Sequence, residues 1–317
     1  MDRVCSRDEK YKRKLTFKDF EYLFKENLSD FVKEKICEYS LEYFDITNAE
    51  SDACIKKIVA ALIDKNLVKA GEHRFAQWEI GWKENLKKLI ESQDIDSIIP
   101  NYFGKYDYVR INRKFVKPAS KVFEYRTLCV IVDWLSDKYM REVDAIYEFG
   151  CGTGYHLLRT RKVNLTAALW GLDWAPASQE IINQIASKGI ISKLYAHRFD
   201  YFNPDMDFQL ANNSIVYTVA SLEQVGTKFK KFVNYLIKNK PKLCIHVEPI
   251  SELLDENNLI DYLSIEYFKK RNYLHGFLTY LRKLENDDEI KILQAQRTFV
   301  GSLFIEGYSV VVWTPCV

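Results

Sequence analysis

The 317-residue chain has no apolar run approaching the roughly eighteen uninterrupted residues that a membrane-spanning helix needs. Its opening, "MDRVCSRDEKYKRK", also lacks the apolar segment of a secretion signal. Both absences lead us to expect a cytoplasmic protein. No C-x-x-C pair occurs either. The seven cysteines (Cys5, Cys37, Cys54, Cys129, Cys151, Cys244 and Cys316) are odd in number and scattered, which argues against a disulfide framework and a zinc site. The five histidines are equally dispersed, and none pairs with an acidic residue at a metal-binding spacing, so no metal is expected. Charge of one sign is not in excess: 46 Lys and Arg face 44 Asp and Glu, for a formal net charge of +2. Nothing global favours wrapping a polyanion, and a nucleic-acid role would need a local basic patch. The chain contains no internal repeat or low-complexity tract.

Length and a 47% hydrophobic content allow a sizeable core, and length alone suggests two domains. The two halves read differently. Residues 8 to 100 mix charged and apolar positions at spacings of three and four, as in "FKDFEYLFKENLSDFVKEKICEYSLEYF", which predicts amphipathic helices. Within this half, residues 51 to 81 predict a helix capped by Ser51 and running to Leu62, followed by two short extended pieces about a turn at Gly71. Helix and hairpin together outline a winged-helix unit. The Tyr-, Arg- and Lys-rich segment 101 to 127 reads as an irregular linker leading to a helix at 119 to 138.

From residue 145 onward, short apolar strands alternate with helical stretches: "AIYEFG", "ALWGLDWA", "KLYAHRFD", "SIVYTVAS", "KLCIHVEP", "RTFVGSLFIE" and "YSVVVWTP". This alternation predicts an α/β fold, a Rossmann-like, doubly wound, mostly parallel seven-stranded sheet. The last two strands are joined only by "EGY" and should form an antiparallel hairpin. The expected division is a mainly helical N-terminal domain over 1–118, winged-helix-like in outline, and an α/β domain over 119–317.

Ligands of such sheets bind beyond the carboxyl ends of the strands. The first strand ends in the turn "FGCGTGYH", where Gly150, Gly152 and Gly154 let backbone pass close to a ligand and Thr153 can turn a hydroxyl inward. Read alone, the turn is also compatible with a tight connection that holds nothing. The second strand, however, ends at Asp173, about twenty residues on, the offset at which a carboxylate meets ribose hydroxyls. The glycine spacing is G-x-G-x-G, with Tyr155 where a dinucleotide fold places its last glycine, which disfavours an NAD-linked oxidoreductase. With no Lys-Ser or Lys-Thr pair after the turn, a P-loop is excluded.

At these residues the sequence resembles the class I S-adenosylmethionine-dependent methyltransferases, over roughly residues 140 to 317. Glu148 and "GCGTG" match the family's first motif, Asp173 its second-strand acid and Asp200 in "HRFDYFNPD" its third-strand acid. "LEQV", Leu222 to Val225, matches the "LEHV" of many small-molecule members, with Gln224 in place of His. The resemblance implies S-adenosyl-L-methionine as cofactor. It places Glu148 at the loop or the methionine amino group, the three glycines along the methionine portion, and Asp173 at the ribose. It puts Trp174 beside the adenine, Asp200 at the adenine amine, and Ala220 and Ser221 near the sulfonium; Trp174 and Tyr201 read equally well as packing residues beside the pocket.

For the chemistry, His246 and Glu248 alternate on the fifth strand, face one side, and end at Pro249, so either is a candidate base or anchor. Glu223 is a third candidate facing the substrate. His156 and His275 read as structural, the latter on a helical stretch. Tyr108, Arg110, Arg113 and Lys114 suit either closure over an anionic substrate or a solvated linker. The 19 Phe and 20 Tyr suit a substrate stacked on rings, and equally fill cores.

The expected function is methyl transfer to an O or N acceptor on a small molecule or glycan. The N-terminal half then shapes the pocket, a dimer interface, or both. The alternative is a winged-helix DNA-binding regulator with a non-catalytic nucleoside-sensing domain, yet "DACIKKIVAALIDKN" carries only three lysines, offset by Asp52 and Asp64. Methylation of nucleic-acid bases is disfavoured because "ASLEQ" stands where an N-P-P-Y-like tetrad is usual.

Overall fold

A computed structural model describes residues 11–316; Cys5 and the first ten residues of the stretch read against a secretion signal lie outside them. The chain begins with β1 (Lys12–Lys14), α1 (Phe17–Phe24), α2 (Asp30–Glu38), β2 (Glu42–Phe44) and α3 (Asn48–Ile63). Ser51 does not cap α3. Thr47 does, in a capping box: its hydroxyl accepts the Glu50 amide while the Glu50 carboxylate accepts the Thr47 amide, so orphan donors at the helix start are satisfied reciprocally.

The expected wing is absent. After a loop and a short 3₁₀ turn (Glu72–Arg74), residues predicted to pair as a hairpin form the long helix α4 (Phe75–Ser92), with Phe75, Trp78, Trp82 and Leu89 recurring at helical spacing. The supposed linker holds a hairpin, β3 (Val109–Ile111) and β4 (Lys114–Pro118), which turns through Asn112 and Arg113, both left-handed at φ 49° and 61°. Helix α5 (Phe123–Tyr139) follows.

The α/β part runs β5 (Ala145–Phe149), α6 (Tyr155–Val163), β6 (Ala168–Asp173), α7 (Pro176–Ser187), β7 (Leu194–Arg198), β8 (Ser214–Val219), α8 (Lys230–Asn239), β9 (Leu243–Glu248), α9 (Leu259–Arg271), α10 (Phe277–Asn286), β10 (Ile290–Gln296), β11 (Val300–Gly301) and β12 (Ser309–Pro315). Seven of these strands form one sheet in the order β10-β12-β9-β8-β5-β6-β7, with β5 to β9 parallel and β12 antiparallel to both its neighbours. Both faces are buried, which is why the strands read as continuous apolar runs. Ile146, Leu169, Ile215 and Ile245 pack on one face with α5, α6 and α7, while Tyr147, Phe149, Val216 and Cys244 pack on the other with α8 and α10.

The C-terminal pairing is antiparallel as expected, but the strand opposite β12 is β10, not residues 297–306. The misassigned segment leaves this sheet. Its β11 joins an antiparallel sheet ordered β1-β2-β4-β3-β11, so residues from both ends of the chain share one sheet.

Buried arginines fasten that connection. Arg110 donates to the carbonyls of Leu303 (3.0 Å), Phe304 (2.8 Å) and Ile260 (2.8 Å) and to Ser264. Arg113 pairs with Asp261 (3.1 Å), and Tyr108 donates to Glu50 (3.2 Å). Lys114 is exposed. Three of the four residues read as an anion-closing group, Tyr108, Arg110 and Arg113, are thus engaged with carbonyls and carboxylates of the fold. Arg297 is the centre of a second buried group, bidentate to Asp261 (2.7 and 2.7 Å) and bonded to Glu306. Replacing Arg297 by Met strands the buried Glu306 and leaves Asp261 with Arg113 alone, so urea unfolding should show a loss of about 3–5 kcal/mol; an unchanged midpoint would mean that the triad adds nothing.

Candidate active site

The turn after β5 lies where the strand order reverses, between β6 on one side and β8 on the other, and such a switch point leaves a crevice beyond the strand ends. Gly150, Gly152 and Gly154 all have left-handed φ, at 65°, 54° and 72°. At Gly154 the requirement is also one of space, since a Cβ would lie 2.2 Å from Ile182 Cδ1. This glycine serves helix-to-strand packing and, like the buried Thr153, does not line the cavity. A Cβ on Gly152 would come within 2.8 Å of the Trp82 ring, so α4 lies directly over the turn.

Asp173 holds the turn in place. Its carboxylate accepts the Gly152 amide (2.9 Å) and, through its other oxygen, the Ala175 amide (2.9 Å), tying the ends of β5 and β6 together. Glu148, fully buried at the end of β5, accepts from the Tyr217 hydroxyl (2.9 Å) and meets His156 Nδ1 (2.8 Å). The far nitrogen of His156 is buried without a partner. His156 thus stands on the cavity wall; His275 is exposed, between α9 and α10 and off that wall.

A cavity of about 1100 Å³ opens above these strand ends. That exceeds the roughly 300–1,000 Å³ of an ordinary small-molecule site and gives room for two ligands side by side. Glu148, Gly150, Gly152, Asp173, Trp174, Asp200, Tyr201, Ala220, Ser221 and Glu223 all line it. Asp200 accepts the Phe202 amide (2.9 Å), and the Tyr201 hydroxyl meets Ser221 Oγ (3.0 Å). Ala220 has φ +47°, an uncommon state for a non-glycine residue and one that often marks a functional turn.

The opposite wall comes from outside the α/β core. Helix α4 contributes Trp78 and Trp82, which stack at 5.4 Å. Its Phe75 meets Trp174 edge to face, and its Glu79 accepts the Ala177 amide (3.0 Å) at the otherwise uncapped start of α7. Tyr102, Glu124, Arg271, Tyr273 and Tyr308 complete the wall.

No family model and no curated protein matches the chain. Solved structures do. Human N-acetylserotonin methyltransferase in complex with S-adenosylmethionine is 13% identical with TM-score 0.47, over 83% of this chain and 67% of that one. An O-methyltransferase family protein from Burkholderia thailandensis is 10% identical with TM-score 0.47, over 91% and 73%. Magnesium protoporphyrin IX methyltransferase from Synechocystis with bound S-adenosylhomocysteine is 13% identical with TM-score 0.47, over 62% and 84%.

Two sequence candidates for the chemistry do not reach the cavity. Trp313 Nε1 can only donate, so His246 Nε2 accepts its hydrogen bond (3.0 Å), which puts the ring proton on Nδ1 facing Thr218 (3.0 Å). No lone pair is free to take a proton, and burial holds His246 down at about 3. Glu248 is fully buried and accepts the amides of Ser221 (3.1 Å), Leu222 (3.0 Å) and Glu223 (3.1 Å). It fixes the turn after β8 and does not touch a ligand space.

Two other carboxyls do line the cavity. Glu223 is pushed up to about 8, first by burial and then by Glu248. Glu124 is pushed up to about 7 by burial, against a hydrogen bond from the Tyr308 hydroxyl (3.3 Å). Sequence reasoning missed Glu124, Tyr102 and Trp82. The only signal for Glu124 was a lone acid in the apolar first turn of α5.

Glu223 keeps its proton in the folded protein up to about pH 8, whereas its ordinary value is 4.5. Between those values the folded state binds more protons than the unfolded state, so this group makes stability fall as pH rises. Glu223→Gln should remove that slope, and in thermal melts the variant should gain on wild type from about pH 5 to 8. A constant difference across the range would mean that the carboxyl is not raised.

Proposed function

We propose that the protein is an S-adenosylmethionine-dependent methyltransferase acting on an O or N nucleophile of a small molecule or glycan. The observation that carries this reading is a convergence on one cavity: a left-handed glycine turn, a carboxylate at the end of the next strand, and a raised carboxyl just after β8.

The donor set suits a sulfonium nucleoside. Asp173 uses one lone pair on each oxygen for the turn and keeps others for ribose hydroxyls. Trp174 and Asp200 offer a flat apolar face and an acceptor for an adenine. Glu148 with His156 supplies a buried polar corner with an orphaned ring nitrogen for an amino-acid end. When bound, the cofactor supplies an electrophilic methyl group, which leaves the protein to orient the acceptor, exclude water and take a proton.

Glu223 is our candidate for the proton acceptor. It follows Ala220 and Ser221 directly, and its raised value matches a base working somewhat above neutrality. Glu124 and Tyr308 form a second hydrogen-bonding pair on the acceptor's side. Helix α4 gives residues 1–118 a substrate-shaping role by roofing the cavity. The DNA-binding alternative loses its footing, because the segment expected to form the wing is that helix.

Calorimetry tests the cofactor reading: S-adenosylhomocysteine should bind with Kd on the order of micromolar, and Asp173→Ala should weaken it by about tenfold or more. Wild-type protein that binds none would sink it. Glu223→Gln should leave that affinity intact and lower turnover about 10²–10⁴-fold, with wild-type rates rising as pH passes through about 8.

A further inference from the structure

Arg74 and Arg271 both line the cavity on the α4 side, near Tyr273. Arg74 is only 8% exposed, yet its side chain makes no hydrogen bond: the guanidinium lies over the Trp78 ring (5.9 Å), and Nε is buried without a partner. The Nε of Arg271 is orphaned as well, and its guanidinium lies over the rings of Tyr267 (6.0 Å) and Tyr273 (5.1 Å). Among the described residues, neither arginine has a carboxylate within 4 Å. Arg110 and Arg297, by contrast, have their guanidiniums bonded on several sides.

A buried guanidinium without a counter-charge is costly, and a second one of the same sign beside it adds repulsion. Burial and Arg271 together hold Arg74 below its ordinary value, as two uncompensated neighbours require. Such a pair of cations on a cavity wall suits a carboxylate or phosphate, which planar guanidinium forks can grip bidentately. We infer that Arg74 and Arg271 form an oxyanion subsite, and that the methyl acceptor carries a carboxylate or phosphate close to the atom methylated. The substrate-class half of this inference rests on the methyltransferase reading; the subsite itself does not.

Arg271 acts electrostatically on Glu223, favouring its ionised form. An anion that neutralises Arg271 removes that help and makes Glu223 a stronger base as the acceptor arrives.

The probes are inorganic phosphate and malonate, each titrated into protein saturated with S-adenosylhomocysteine. We expect saturable binding of at least one, weakened about tenfold or more in both Arg74→Gln and Arg271→Gln. Arg74→Lys, which keeps the charge but loses the fork, should fall between. Binding of phosphate alone assigns a phosphorylated acceptor, and binding of malonate alone a carboxylate. A thermal melt without anions gives an independent reading, because removing an unpaired buried charge should raise the Tm of Arg74→Gln, whereas loss of a structural arginine lowers it. No binding of either anion, or binding indifferent to both substitutions, overturns the subsite. If the anion binds through Arg74 but S-adenosylhomocysteine does not bind, the subsite stands and the cofactor reading falls.

Discussion

The site depends on one carboxylate, that of Asp173, accepting the amides of Gly152 and Ala175 at once. Backbone bonds hold the start and close of the turn, from the Cys151 amide to the Leu172 carbonyl (3.0 Å) and from the Gly154 amide to the Cys151 carbonyl (2.8 Å), and the carboxylate fixes Gly152 between them. Once the turn is fixed, Gly152 presents a surface without a side chain, and Trp82 settles against it. The roof therefore rests on the floor: α4 is held by that contact, by Phe75 on Trp174 and by Glu79 at the start of α7. Burial pushes Asp173 up to about 6, against the two amide bonds, so the bridge is itself sensitive to acid.

The floor was legible in the sequence and the roof was not. Glycine spacing, Asp173, Asp200 and alternating apolar strands are local signals, and each reports a backbone requirement that few other residues meet. The start of α4, residues 75–81, reads as an extended piece because Gly71 looks like a hairpin turn. Gly81 instead sits inside the helix with nothing near its missing Cβ, and the 75, 78, 82, 89 spacing of large apolar residues was the better guide. Strand β10 was missed for a related reason. "IKILQAQ" has one half-exposed face, so it lacks the solid apolar run of the inner strands, whereas "RTFVGSLFIE" has that run because it is buried against α9 and the second sheet.

Candidate catalytic residues were harder still, because sequence gives a carboxylate's place on a strand but not its hydrogen-bond partners. His246 and Glu248 face the same side, as alternation requires, yet that side is occupied by Thr218 and Trp313 for one and by three amides for the other. Glu124 comes from a helix in a different part of the chain and joins the site only through the tertiary fold.

The carboxyl groups sort themselves by what their oxygens touch. Glu148, Asp173 and Glu248 are spent on amides, a tyrosine and a histidine, and they build the framework. Burial raises Asp173 to about 6 and Glu248 to about 7 as it raises Glu124 and Glu223, so what sets Glu223 and Glu124 apart is that they have few partners and line open space, where a carboxyl raised toward neutrality can exchange a proton. Glu248 links the two groups. By gathering the amides of residues 221–223 it sets the turn that presents Glu223, and by its own charge it helps to raise Glu223's affinity for a proton. A carboxylate that does not reach the cavity thus tunes one that lines it, and alternation along a strand, which names both as candidates, does not tell the two apart.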